Sequence, residues 1–318
     1  MSPPPSRRHR HPRLRLAARA AFVLFLALVA FLLVRHARHV DWSAVMAAIV
    51  AYDARTLATV LLLVVASYAT YACYDLAGRA YAGHALSTRR VLLIAATSYG
   101  FALNLGALVG GAGFRFRMYA HSGLRPACIG RVVVFSMVTN WLGYVALAGA
   151  VFAAGAVEPP PQWGFGGGAL RIAGAVMLAL AAAYLLACAK WRGRTFHVRG
   201  HHFRLPTVRL GALQVALAAL NWSLMATIVF VLLGGDLAWP LVLATLLLSA
   251  VASAMVHIPA GIGVLEAVFV AVLGTLVAEP RLLAAVLAYR AAYYLFPLVL
   301  VLASYAVFEA RRGKSVFR

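Results

Sequence analysis

Apolar residues run almost unbroken at 17–34, 56–77, 132–155, 169–189, 210–233 and 282–308. Runs of about 20 residues match a hydrocarbon core roughly 30 Å thick at 1.5 Å of rise per helical residue. The pattern therefore predicts six membrane-spanning helices. Two further apolar stretches are interrupted. Val91 to Tyr119 is broken by Gly-Gly-Ala-Gly at Gly110 to Gly113, and Pro240 to Val277 by His-Ile-Pro-Ala-Gly-Ile-Gly at His257 to Gly263. Irregular backbone at membrane depth is tolerated only inside protein or beside a wet cavity, so the two breaks mark an internal site. Val40 to Val50 reads as a short amphipathic helix at the interface. Residues 1–15, rich in Pro, Arg and His, read as a disordered basic N-terminus.

Charge decides the topology. If each broken stretch crosses once, Lys and Arg divide 14 inside to 14 outside, with Arg290 left in a helix. If each dips in and returns to its own side, they divide 23 to 5. The second arrangement obeys the positive-inside rule. The sequence thus predicts an all-α polytopic bundle of six spans plus two oppositely oriented re-entrant hairpins, with both termini cytoplasmic. Residues 16–310 read as one transmembrane domain and 311–318 as a basic tail. Units at about 56–155 and 210–308 have the same order of elements and opposite orientation. Their breaks align, Gly111 to Tyr119 against Gly261 to Phe269. Inverted repeats with broken helices are a transporter signature.

Composition narrows the function classes. Hydrophobic residues make up 64% of the 318 positions and charged residues 12%, half of what a soluble domain carries. The net charge of +21 invites a nucleic-acid reading. The basic residues flank the apolar runs instead of forming a face, which argues for anionic headgroups and against nucleic acid. Arg outnumbers Lys 27 to 2, a bias consistent with a bacterial, GC-rich origin. Cys73, Cys128 and Cys188 are scattered and read as packing residues, with no metal or disulfide spacing. Gly313 to Ser315 imitates the end of a P-loop, but Phe308 stands where that motif needs Gly. No cofactor or ATPase motif is present, so any transport is expected to be passive or driven by an ion or potential.

The candidate chemistry lies at the breaks. Gly111, Gly113, Gly261 and Gly263 allow tight turns, and a half-helix starting after such a turn presents its N–H groups to an anion such as a lipid phosphate. Arg115 and Arg117 follow the first break. They read either as phosphate ligands or as interfacial charges that orient the hairpin. Glu266 and Arg290 are expected deep in the bundle, where a lone charge is costly, and therefore as an ion pair. A charge-swapped pair is then expected to keep folding. Asn104 precedes the first break and reads as a ligand or as interhelical glue, the reading given to Asn140 and Asn221 as well. His257 reads as a satisfied core residue or a proton carrier, and Tyr293 and Tyr294 as packing or cavity-lining residues. Asp75 reads as interfacial, and Trp141 and Trp222 as packing residues.

Three segments carry a family resemblance: Asn104 to Leu124, His257 to Phe269 and Tyr289 to Pro297. They resemble the hallmark segments of the lysylphosphatidylglycerol synthase transmembrane-region family over most of 55–310. Ala260 departs from the pattern, standing where many members have a second Gly after Pro. The resemblance implies a stand-alone flippase-like member of the bacterial inner membrane. The synthase domain of the bifunctional members is expected to be missing, because only ten residues follow Phe308. It further implies an anionic phospholipid as partner, a separately encoded lipid synthase as a candidate second partner, and no enzymatic activity. Two alternatives stay open: an accessory protein that presents lipid to such a synthase, and a headgroup transferase using Glu266 or His257 as general base.

Overall fold

The computed structural model describes residues 42–106, 111–164, 166–191, 195–198, 201–256 and 261–303. The chain divides into two compact units, Met1–Trp42 and Ser43–Arg318, and the second carries the helical bundle. The expected first span at 17–34 and both termini lie outside the described residues.

Ten α-helices are described: α1 Trp42–Val50, α2 Ala54–Ala82, α3 Thr88–Leu105, α4 Phe114–His121, α5 Pro126–Ala153, α6 Gly167–Lys190, α7 Val208–Leu232, α8 Trp239–Val256, α9 Val264–Leu273 and α10 Glu279–Arg290. A π-helical turn, Ala291–Leu295, continues α10 towards Ala303. Two short strands, Thr195–Val198 and His201–Arg204, pair antiparallel in the basic connection after α6. Local chemistry explains several starts. Asp53 accepts the Thr56 N–H at 2.8 Å ahead of α2, and Thr207 accepts the Leu210 N–H at 3.3 Å ahead of α7. Pro126 opens α5 where its missing N–H costs nothing.

Six described helices are long and apolar enough to cross a membrane: α2, α5, α6, α7, α8 and the run Glu279–Ala303. This set differs from the expected one by including α8, which the sequence suggested was only half of a hairpin. At 18 residues α8 is about 27 Å long. By contrast α4, with 8 residues, and α9, with 10, reach only about 12 and 15 Å and cannot cross.

Both short helices fold back on their predecessors. Phe114 at the start of α4 stacks on Phe101 near the end of α3, with ring centres 3.9 Å apart. Four residues further along α4, Met118 packs with Ile94, seven residues back along α3. α9 packs on α8 in the same way. Within the first group α2 touches α3, α3 touches α4, α4 touches α5, and α5 touches α2. The second group repeats these four contacts with α7, α8, α9 and α10.

The ends of the helices sort into two faces. Tyr52, just before α2, donates its hydroxyl to the Leu232 carbonyl at the end of α7 (2.9 Å), and Arg281 in α10 donates to Leu233 and Asp236 between α7 and α8. At the other end Tyr81, near the close of α2, donates to the Arg204 carbonyl just before α7. α2 and α7 therefore run antiparallel along their shared interface.

α2 is apolar where it is exposed and carries a polar row on its buried face. On α2, Leu57, Leu61, Leu62 and Val65 are exposed, while Ser67, Tyr71, Tyr74, Asp75 and Gly78 share the buried face. Contact at the centre depends on a missing side chain. A Cβ on Gly143 of α5 would lie 2.1 Å from the Ala218 Cβ and 2.5 Å from that residue's carbonyl carbon in α7. Backbone cannot yield like a flexible side chain, so Gly143→Ala is expected to push α5 from α7 and cost about 1–3 kcal/mol. A lowered thermal midpoint of the purified protein in micelles checks this; an unchanged midpoint would mean the two helices are not in close contact.

Candidate functional site

The first break brings Arg115 inward. Only 2% of its side chain is exposed, although it lies in the first turn of α4. Its Nε lies 3.2 Å from Asp75 Oδ2, off the hydrogen-bonding direction, so that contact is electrostatic. Its Nη2 donates to the Tyr71 hydroxyl at 3.3 Å, and the guanidinium sits 5.7 Å from the centre of the same ring. Asp75 is fully buried, which corrects the interfacial reading. Its carboxylate also accepts hydrogen bonds from Ser136 at 2.5 Å and Tyr119 at 2.9 Å. Three elements thus satisfy one acid: α2 carries it, and α4 and α5 supply a cation and two hydroxyls.

Arg117 does not join this cluster. Two residues along α4 it lies on the exposed side, because a step of two turns a helix by about 200°. Gly111 is buried and within a π-helical turn, while Gly113 is exposed and already in helical conformation; Gly106, at φ 85°, is the glycine with left-handed φ beside this break among the described residues.

The second break is built differently. Gly261 and Gly263 have φ of 58° and 81°, values that only glycine adopts without strain. Glu266 reaches back and accepts the Gly263 N–H at 2.9 Å, which caps α9. The same carboxylate forms a two-pronged pair with Arg290, Nε to Oε1 at 2.5 Å and Nη2 to Oε2 at 3.1 Å. Arg290 Nη2 also donates to the Gly261 carbonyl at 2.7 Å. The expected Glu266–Arg290 pair is therefore present, and it clamps both glycines of the turn. It also means that the positive end of α9 already holds a carboxylate, whereas α4 has no side-chain cap. His257 lies outside the described residues.

A seam of hydroxyls and aromatic rings joins the two pairs through the interior. Tyr71, bonded to Arg115, stacks on Tyr99 of α3 at 3.6 Å. The Tyr99 hydroxyl meets that of Tyr293 at 2.7 Å; Tyr293 meets Ser67 at 2.6 Å, and Ser67 donates to the Asn221 amide oxygen at 2.7 Å. Tyr293 packs on Tyr289 and Tyr294, and Arg290 sits 5.7 Å from the Tyr294 ring centre. Asn104 ties the first hairpin to this last helix, donating to the Gly100 and Tyr294 carbonyls at 2.9 and 3.2 Å. The hydroxyls of Tyr74, Ser98 and Tyr289 are buried along the same interior without a well-directed hydrogen bond among the described residues.

Sequence reasoning placed Arg115, Glu266, Arg290, Tyr293 and Tyr294 here, and left out Ser67, Tyr71, Asp75, Tyr99, Tyr119 and Ser136. The available signal was the spacing of Ser67, Tyr71, Tyr74, Asp75 and Gly78, which puts the polar residues of an otherwise apolar helix on one face. Asn221 and Trp222 act as interhelical contacts, Trp222 donating to the Asn140 carbonyl at 3.4 Å. Trp141 touches Tyr144 but is itself exposed.

Long apolar helices around one buried and one partly buried arginine–carboxylate pair define a polytopic helical membrane protein with a charged interior. The chain belongs to the lysylphosphatidylglycerol synthase TM-region family, whose sequence model matches residues 18–300. It is 43% identical over 305 residues to the inner membrane protein YbhN of Escherichia coli, covering 96% of each chain. It is 26% identical over 274 residues to the uncharacterized protein slr0712 of Synechocystis, covering 85% of each.

Proposed function

We propose that this protein is an inner-membrane, flippase-like lipid translocase that carries an anionic phospholipid headgroup between leaflets. The observation that carries the reading is the continuous polar seam between two neutralised arginine–carboxylate pairs, in a place where an inert bundle would hold only apolar side chains. In this reading the pairs α3/α4 and α8/α9 are re-entrant hairpins from opposite faces. The repeated contacts within each group and the antiparallel pairing of α2 with α7 support an inverted repeat.

A buried ion pair contributes little net stability, because desolvation nearly offsets the attraction. In this reading a phosphate replaces Asp75 on Arg115, and the freed carboxylate is kept by Ser136 and Tyr119. The seam offers unpaired hydroxyls to the headgroup on its way, and the acyl chains stay in lipid. Arg290 serves the other face, where the phosphate would displace Glu266. Glu266 is a poor general base in this arrangement, since both its oxygens already accept hydrogen bonds. That counts against the transferase alternative.

The test is leaflet exchange of fluorescent phosphatidylglycerol in proteoliposomes, with a zwitterionic lipid as control. Wild type is expected to exchange the anionic lipid, and Arg115→Ala to lower the rate at least tenfold. No exchange of any lipid under an imposed potential or proton gradient would reject the translocase reading and favour an accessory role.

A further inference from the structure

A cavity of about 940 Å³ lies apart from the seam, where the end of α2, the start of α5, the end of α6 and the approach to α7 converge. Its chemistry is graded. Arg125 and Arg131, both exposed, stand at one end, and no acidic residue is among its described lining. Val134, Phe135 and Val138 form an apolar wall along α5. Gln214 closes the deep end, fully buried, donating to Thr139 at 2.8 Å and accepting from Tyr184 at 2.6 Å. From Pro126 to Val138 the lining along α5 runs 12 residues, or about 18 Å of helix, close to half of a hydrocarbon core roughly 30 Å thick, and its apolar wall lies beyond Arg131. Cations toward one end and an apolar stretch of α5 beyond them, within a single leaflet's depth, fit one amphiphile with an anionic head.

We infer that this cavity is a loading site for an anionic phospholipid drawn from the leaflet at that face, distinct from the transfer path. The inference rests on the translocase reading. The guanidinium groups of Arg125 and Arg131 hold the phosphate, and an acyl chain lies along Val134 and Val138. α5 separates the cavity from the buried pair: Val134 and Val138 line the cavity, while Ser136 between them donates to Asp75. Occupancy is thus one helix away from the acid that neutralises Arg115.

Cys128 lines the cavity and is partly buried, which makes it a native reporter. The experiment follows maleimide labelling of Cys128, read on its own peptide by mass spectrometry. Full-length protein is used in nanodiscs of phosphatidylcholine with or without phosphatidylglycerol. Phosphatidylglycerol is expected to slow labelling at least fivefold in wild type and to have no such effect in Arg125→Ala/Arg131→Ala. Val134→Trp, which fills the apolar wall and keeps both charges, is expected to remove the lipid effect as well. Equal labelling in both bilayers for wild type would overturn the site, as would protection by inorganic phosphate equal to that by the lipid. Protection is read without transport, so an intact lipid effect with no leaflet exchange would sink the translocase reading and leave the binding site standing.

Discussion

Asp75→Ala is expected to destabilise the protein by about 3–5 kcal/mol, the range for removing one partner of a buried ion pair. The substitution leaves the Arg115 guanidinium, 2% exposed, with no carboxylate, and takes the acceptor from Tyr119 and Ser136. Each of those groups was desolvated on folding, and Arg115 keeps only a neutral acceptor in the Tyr71 hydroxyl at 3.3 Å among the described contacts. The double change Asp75→Leu/Arg115→Met removes both charges together and is expected to recover most of the stability, because an apolar pair of similar volume avoids the desolvation cost altogether. Lipid exchange is expected to stay absent in that double variant. Denaturant unfolding in micelles measures the first effect and proteoliposome exchange the second. If single and double variants lose equal stability, the pair is not what the burial of Arg115 depends on.

At the second break the expected result departs from simple pair logic. Glu266→Ala takes the carboxylate from the partly buried Arg290 and uncaps α9, at an expected cost of about 3 kcal/mol, the lower end of the range because the pair is 12–17% exposed. The charge-swapped Glu266→Arg/Arg290→Glu variant keeps opposite charges, and pairing alone would restore folding. The structure overturns that expectation. Glu266 also accepts the Gly263 N–H, and Arg290 also donates to the Gly261 carbonyl. After the swap a donor faces a donor and an acceptor faces an acceptor, each a buried group left without a partner. The swap is therefore expected to be no more stable than Glu266→Ala. Recovery of the wild-type unfolding midpoint would show that the backbone contacts are incidental to the clamp.

The helical spans and the two broken stretches were legible because membrane insertion imposes a length and an apolar composition on contiguous residues, a property that survives in one dimension. The placement of Glu266 with Arg290 was legible for a related reason: two opposite charges inside apolar runs have few other ways to be buried. Asp75 was not. It sits near the end of α2, where a charge is ordinarily interfacial, and nothing local announces that α4 folds back to place Arg115 on it. Arg117 shows the converse. Its sequence context matches that of Arg115, and only the angular position on α4 separates an exposed charge from a buried one.

The division follows from range. Hydropathy, glycine-rich interruptions and the asymmetry of flanking charge are properties of neighbouring residues, and they sufficed for the all-helical class, the five long helices among the described residues that matched expected spans, and the two breaks. Which face of α2 meets which residue of α4, how Tyr71, Tyr99 and Tyr293 from three helices line up, and that Arg290 is tied to the Gly261 carbonyl as well as to Glu266 depend on contacts across 24 to 226 positions of chain. Such contacts are set by how helices dock and rotate against each other, through close approaches like that at Gly143. No periodicity within a single helix records them.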